Sequence, residues 1–226
     1  YRTWFVDAYG VLHDGSAAFP GVVEALIQAR RSGVTVMIVT NSGQRIDAVA
    51  ARLAGAGIAP DCYNHIMSSG ELTWRYIEQR DALSRLFVLY PGGGPLWLKH
   101  LRNPIVDDLA AADLVLAADM PHRTEETARA GDLLSLLGTA ARLRLPLLVP
   151  DSDVTYPHNG IIRLGPGWIA RRYVELGGET IESGSPPCTP CSSTSNDASP
   201  MRLAPAISVA RLSPTMIASS GLTLQR

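Results

Sequence analysis

Two residues, Asp7 and Thr40, carry the chemistry this chain could do. Asp7 closes the apolar run Trp4-Phe5-Val6 and is followed by Ala8-Tyr9-Gly10. Thr40 closes Val34-Thr35-Val36-Met37-Ile38-Val39 and is followed by Asn41-Ser42-Gly43. If both runs are neighbouring parallel strands, a carboxylate, a hydroxyl and the backbone amides of Asn41 and Ser42 meet at one sheet edge. That set suits a phosphate: amides and hydroxyl hold its oxygens, and the carboxylate attacks phosphorus. Phosphate and carboxylate repel, so a divalent cation is needed between them. Mg²⁺ fits, because it takes one or two carboxylates together with phosphate oxygen and water.

The elements that must position these residues follow from periodicity. Trp4 to Val6 is a short buried strand ending in a turn at Gly10. After Phe19-Pro20-Gly21, apolar residues at 22, 23, 26, 27 and 29 form one helical face, which stops at Gly33. Val34 to Val39 is β-branched and apolar on both faces, as a central parallel strand should be. Ile46 to Ala56 is a second helix. Strand, helix, strand, helix at this spacing is a βαβα unit on a parallel sheet, whose ligand edge is the C-terminal one.

The alternation continues: a strand at Tyr63 to Met67, and a helix capped by Ser68-Ser69-Gly70-Glu71 and running through Ile77. Leu86–Leu89 and Ala112–Ala118 are strands, Thr127–Leu143 a helix, and Leu147–Val149 a strand stopping at Pro150-Asp151. Residues 68–150 are expected to form a second α/β unit inserted in the first (residues 1–67). Ile161–Leu164, a helix over Gly167–Leu176 and Glu179–Glu182 would return the chain to the first unit over residues 151–184. The expected class is α/β: a Rossmann-like parallel sheet core with an inserted α/β cap domain.

Composition narrows the function. With 226 residues, 46% hydrophobic and 18% charged, the chain can bury a substantial core. A net charge of −1 gives no electrostatic case for nucleic acid or an anionic membrane as partner. No run of about 18 apolar residues predicts a membrane span. Three cysteines are too few for a disulfide framework, so a reducing cytoplasm is the simplest expectation. The chain opens at Tyr1, without a methionine, and reads as a fragment or a trimmed chain. No GxGxxG follows the first strand, which disfavours a dinucleotide site.

The motifs resemble those of the haloacid dehalogenase (HAD) superfamily of phosphatases. Phe5-Val6-Asp7-Ala8-Tyr9-Gly10-Val11-Leu12 is similar to its first motif, Ile38-Val39-Thr40-Asn41-Ser42 to its second, and Phe19-Pro20-Gly21 and Ser32-Gly33 match between them. Met67-Ser68-Ser69-Gly70-Glu71 and Val149-Pro150-Asp151 resemble the class IIA branch, which inserts a large α/β cap after the second motif. The resemblance covers residues 1 to about 184. It implies Asp7 as the nucleophile that forms an aspartyl-phosphate and Thr40 as the hydroxyl holding the transferring group. Tyr9, Gly10, Asn41 and Ser42 would line the substrate, and Mg²⁺ would be held by Asp7 and the backbone carbonyl of Tyr9. Small phosphorylated metabolites would be the substrates, with a homo-oligomer left open.

Two departures matter. Phosphatases of this superfamily usually carry a second aspartate two residues after the nucleophile, where Tyr9 stands. A phenol, with a free pKa of about 10, is a poor base at neutral pH, and general acid–base work is worth about 10²–10⁴-fold in rate. Turnover should be slow unless His13, Asp14 or a cap residue substitutes. Otherwise the ring of Tyr9 simply packs under the cap. An aromatic here resembles one uncharacterised class IIA subgroup. The second departure is at Ser185-Pro186, where the family carries Lys-Pro. From residue 185 to 226 the chain holds many Ser and Pro, no Lys and one acid, Asp197. Both an impaired hydrolase and a non-catalytic phospholigand-binding protein therefore stay open.

The remaining candidates are weaker. Cys188-Thr189-Pro190-Cys191 lacks a second pair for zinc, and Gly92-Gly93-Gly94 lacks the Lys-Ser/Thr of a P-loop. His65, His100, His122 and His158 have no ligand spacing, and Trp74, Trp97 and Trp168 read as packing. Residues 185–226 are either read in a shifted frame or form a disordered, linker-like extension. In the shifted case, coding DNA around Gly184 should encode Lys-Pro and a later acidic motif in another frame; DNA sequencing that finds neither leaves the extension.

Overall fold

The computed structural model describes residues 2–89, 96–118, 133–158 and 161–182. Contacts divide these into two compact units: residues 2–39 with 50–66, and residues 40–49 with 67–182. Both are α/β with parallel sheets, as the residue pattern predicts.

The first unit is built on β1 (Thr3–Asp7) and β2 (Thr35–Thr40), with β3 (His65–Ser68) completing a three-stranded sheet of order β1-β2-β3. β1 and β2 are parallel and in register from Thr3 against Thr35 to Asp7 against Val39. Val36 and Ile38 of β2 are fully buried, as expected for a strand covered on both faces. Asn64 extends the edge of β2: its side-chain oxygen accepts from Val36 N at 2.9 Å and its N–H donates to Val36 O at 2.8 Å. Between the strands runs α1 (Val22–Arg31), which buries Leu26 and Ala29. It begins after Gly21 at φ 80° and is followed by Gly33 at φ 80°, a left-handed geometry that glycine adopts without a Cβ penalty. α2 (Ile46–Gly55), whose residues from 50 on belong to this unit, buries Leu53.

The second unit contains α3 (Ser69–Glu78), β4 (Leu86–Val88), β5 (Leu114–Leu116), α4 (Leu133–Arg142), β6 (Leu147–Val149), β7 (Thr155–His158), β8 (Ile161–Leu164), α5 (Pro166–Glu175) and β9 (Thr180–Glu182). Its main sheet is parallel, in the order β4-β5-β6-β9. Side chains alternate between two cores, as strand geometry requires. Leu86, Val88, Leu114, Leu116 and Leu148 face Ile77 of α3 with Trp97 and Leu98. Val115, Leu147 and Val149 face Leu133, Leu137 and Ala140 of α4 and Trp168, Ile169 and Tyr173 of α5. β7 and β8 form a separate antiparallel pair.

The expected return to the first sheet over residues 151–184 is corrected. β9 pairs with β6 instead, Ile181 lying opposite Leu148. The cause is packing: α5 buries Trp168, Ile169 and Tyr173 in the core of β6, which leaves β6 as the open edge for the next strand. The second unit therefore extends through 182 rather than stopping at 150, and it also takes in residues 40–49. Residues 127–132 of the expected helix, Gly92 to Gly94, His122, Cys188, Cys191 and the tail lie outside the described residues.

Candidate active site

Asp7 is the last residue of β1 and is exposed, directly after the buried Val6. Its Oδ1 accepts from Ala8 N at 2.8 Å. The chain then turns on itself: Ala8 O receives Leu12 N at 2.9 Å and His13 N at 3.3 Å, and Gly10 N donates to His13 O at 2.9 Å. Gly10 sits at φ 78°, the left-handed conformation that the turn needs. Val39 lies opposite Asp7, and Thr40 follows it as the last residue of β2.

Tyr9 is half exposed and meets the His13 ring edge-on at 5.9 Å between centroids. Neither residue beside it is arranged to replace a missing aspartate. The Asp14 carboxylate closes its own turn, its Oδ1 accepting from Ser16 N at 2.8 Å, Ser16 Oγ at 2.7 Å and Ala17 N at 2.9 Å. The amides of Ala17 and Ser16, with the Ser16 hydroxyl, hold its pKa down to about 2. Such an acid has already lost its proton at neutral pH. His13 is buried, and its Nδ1 accepts from Gly15 N at 2.9 Å, which places the proton of the neutral ring on Nε2. Burial lowers its pKa, the Arg52 charge adds to this, and Asp14 partly opposes it.

In the second unit, the loop after β2 is held at almost every peptide. Thr40 is buried, and its Oγ1 accepts from Ser42 N at 3.2 Å. The Ser42 amide, expected on a phosphate, thus closes onto the threonine hydroxyl, which keeps its own proton for donation. Ser42 Oγ accepts from Gln44 N at 3.3 Å. Asn41 donates to Asp153 Oδ1 at 3.4 Å and accepts from Ser69 Oγ at 3.4 Å. Ser69 belongs to the helix cap read from the sequence, whereas Asp153 did not stand out there. Asp153 lies two residues after Asp151 in Pro150-Asp151-Ser152-Asp153, and that doubled acid was the available signal.

The same loop continues into Arg45, which bonds Glu71 at 2.9 Å and lies 3.7 Å over the Trp74 ring. Glu71 is buried and also pairs with Arg75 at 3.0 Å. Burial alone would raise its pKa, but hydrogen bonds and charge from Arg45 and Arg75 outweigh this and the net shift is downward. His65 and His100 are exposed, consistent with filler.

Residues 4–98 match a family model described as haloacid dehalogenase-like hydrolase. The stretch carrying Asp7 and Thr40 is thus similar to the haloacid dehalogenase-like hydrolases. Among curated proteins none matches the chain. Solved structures extend the likeness beyond residue 98. A haloacid dehalogenase-like hydrolase from Brucella suis is 26% identical with a TM-score of 0.67, over 82% of this chain and 66% of that one. A possible sugar phosphatase from Cytophaga hutchinsonii shares the fold at 23% identity and TM-score 0.63, over 82% and 67%. A glycerol phosphate phosphatase from Mycobacterium tuberculosis, solved with calcium, shares it at 19% and 0.60, over 81% and 53%. The chain thus spans about two thirds of the first two and about half of the third.

The Glu71 pair yields a pH signature. A depressed carboxyl pKa stabilises the fold above the unfolded value, 4.5 for this group, and the contribution is lost as pH falls through the folded one. Glu71→Gln should cost about 1–2 kcal/mol at pH 7, less than a fully buried pair because both guanidiniums are about a third exposed. Urea unfolding should find this difference intact at pH 6 and shrinking below about pH 4.5. A difference independent of pH would place the effect in packing rather than charge.

Proposed function

We propose that this chain is, by descent, a Mg²⁺-dependent phosphate monoester hydrolase acting through an aspartyl-phosphate on Asp7, with turnover impaired as the chain stands. The observation that carries the reading is Asp7, exposed at the C-terminal end of β1 in register with Val39, with Thr40 next along β2. Class IIA architecture and the likeness to a possible sugar phosphatase and a glycerol phosphate phosphatase support small phosphorylated metabolites as substrates.

Among the described residues no three His, Cys, Asp or Glu side chains gather into a metal cage. Mg²⁺ requires none: it is bound by one or two carboxylates, with phosphate and water completing its octahedron. The exposed Asp7 carboxylate and the Tyr9 backbone carbonyl fit as two such oxygens. When bound, the ion would neutralise charge between Asp7 and the phosphate.

The residues' roles follow from their chemistry. An Asp7 carboxylate oxygen attacks phosphorus as the bond to the leaving alkoxide breaks, and water later cleaves the acyl phosphate. The Thr40 hydroxyl donates to a phosphoryl oxygen, with Gly10, Asn41 and Ser42 shaping the rim. The alkoxide needs a proton, and Tyr9 stands where the acid would be. With Asp14 deprotonated and His13 buried, neither of these two neighbours of Tyr9 replaces it. That shortage favours the second reading, a non-catalytic protein that binds a phosphorylated ligand. A cytoplasmic location remains part of the proposal, and no helix among the described residues is long and apolar enough to cross a membrane.

Hydrolysis of para-nitrophenyl phosphate with Mg²⁺ tests the reading. The parent chain should turn over slowly, and Asp7→Asn should abolish the residual rate. Phosphate binding with a rate unaffected by Asp7→Asn would leave the binding protein. Tyr9→Asp should raise kcat for an alkyl phosphate by up to about 10²-fold, the low end of general acid–base assistance. No gain in a stopped assay of released phosphate would show that the missing acid is not what limits turnover.

A further inference from the structure

The loop after β2 is gripped by its carbonyls. Thr40 O accepts from Ser69 Oγ at 3.4 Å, Ser42 O from Gly70 N at 3.0 Å, Gly43 O from the indole Nε1 of Trp97 at 2.8 Å, and Gln44 O from Ser68 Oγ at 2.7 Å. Three of the four donors lie at the start of α3. The fourth comes from residue 97, 54 positions along the chain from Gly43, on a side chain otherwise buried among Leu86, Leu114 and Leu116.

A trans peptide is planar, so its N–H points opposite to its C=O. Drawing the Thr40 and Ser42 carbonyls toward α3 therefore turns the Asn41 and Gly43 N–H groups to the other side of the loop. The Trp97 bond holds the next carbonyl, that of Gly43, whose peptide N–H on Gln44 closes onto Ser42 Oγ, and so fixes the loop's far end behind the Gly43 N–H. We propose that Trp97 is a positioning residue: its indole N–H sets the backbone of residues 41–44 in the orientation that presents N–H groups to a phosphate. The proposal rests on the phosphatase reading and deepens it, assigning the loop's phosphate affinity partly to a side chain that touches no substrate.

Trp97→Phe deletes the donor and keeps a large ring in the core. Tyr173→Phe is the control, because it deletes another buried hydrogen bond of the same unit, the one from the Tyr173 hydroxyl to Leu145 O. With full chain and Mg²⁺, inorganic phosphate binding is read by calorimetry and para-nitrophenyl phosphate hydrolysis by kcat/KM. Trp97→Phe should weaken phosphate binding about three- to tenfold, the range for one hydrogen bond, and lower kcat/KM by at least that factor. Tyr173→Phe should lower the melting temperature and leave phosphate affinity unchanged. If Trp97→Phe fails to fold, Ser69→Ala, which removes the hydroxyl shared between Thr40 O and Asn41 Oδ1, carries the same expectation for the loop's grip. An unchanged affinity, or equal weakening by Tyr173→Phe, overturns the positioning role and leaves the phosphatase reading standing. A parent chain that neither binds phosphate nor hydrolyses the ester removes both.

Discussion

The second unit depends on one close approach, that of the first turn of α3 to the loop after β2. A Cβ built on Gly70 would lie 2.1 Å from Gly43 O and 2.6 Å from Gln44 O, so only glycine lets the two backbones meet. The contact solves two problems together. A helix start has N–H groups without intrahelical partners, and a buried loop has carbonyls that need donors. α3 directs the Gly70 N–H and the Ser68 and Ser69 hydroxyls at loop carbonyls, while Ser68 Oγ also accepts from Glu71 N at 3.2 Å. A helix start that elsewhere would hold an anion here holds the segment proposed to hold one.

Charge reinforces the approach. Glu71 lies one residue past Gly70 on α3, and Arg45 one residue past Gln44, so their ion pair ties the two chain segments directly behind the backbone contact. Arg75, one turn further on, shares the same carboxylate. A buried carboxylate with one partner would carry a large desolvation cost, and the second guanidinium offsets it. The Trp74 ring under Arg45 then limits where that side chain can go.

Much of this was legible in the sequence, because it depends on local pattern. Val36 and Ile38, flanked by Thr40 and Asn41, read as a buried strand ending in a polar turn, and Ser68 with Glu71 three residues on read as a helix start. What could not be read is pairing across distance. The three residues of β9 are as compatible with an edge of the first sheet as with β6; α5, by burying Trp168 and Tyr173 against β6, decides the matter. Trp97 looked like packing, which it is, but nothing in a lone tryptophan says that its N–H ends 2.8 Å from a carbonyl 54 residues away. Asp153 and Asn41, 112 residues apart, pose the same difficulty.

Asp14 shows why residue type alone misleads near Asp7. Seven residues after a candidate nucleophile, an aspartate invites assignment as the missing acid. Its geometry assigns it elsewhere: three donors from Ser16 and Ala17 converge on one oxygen, and each stabilises the anion over the acid. The interactions that make it a good turn former make it a poor proton donor, since lowering a pKa to about 2 leaves a negligible protonated fraction at neutral pH. His13 meets the opposite limit. Its Nδ1 is occupied by Gly15 N and its ring is buried, so it builds the turn that presents Tyr9 rather than exchanging protons through it. The turn after β1 is thus complete as structure, with Asp14 and His13 both engaged in shaping it and neither arranged to protonate a leaving alkoxide.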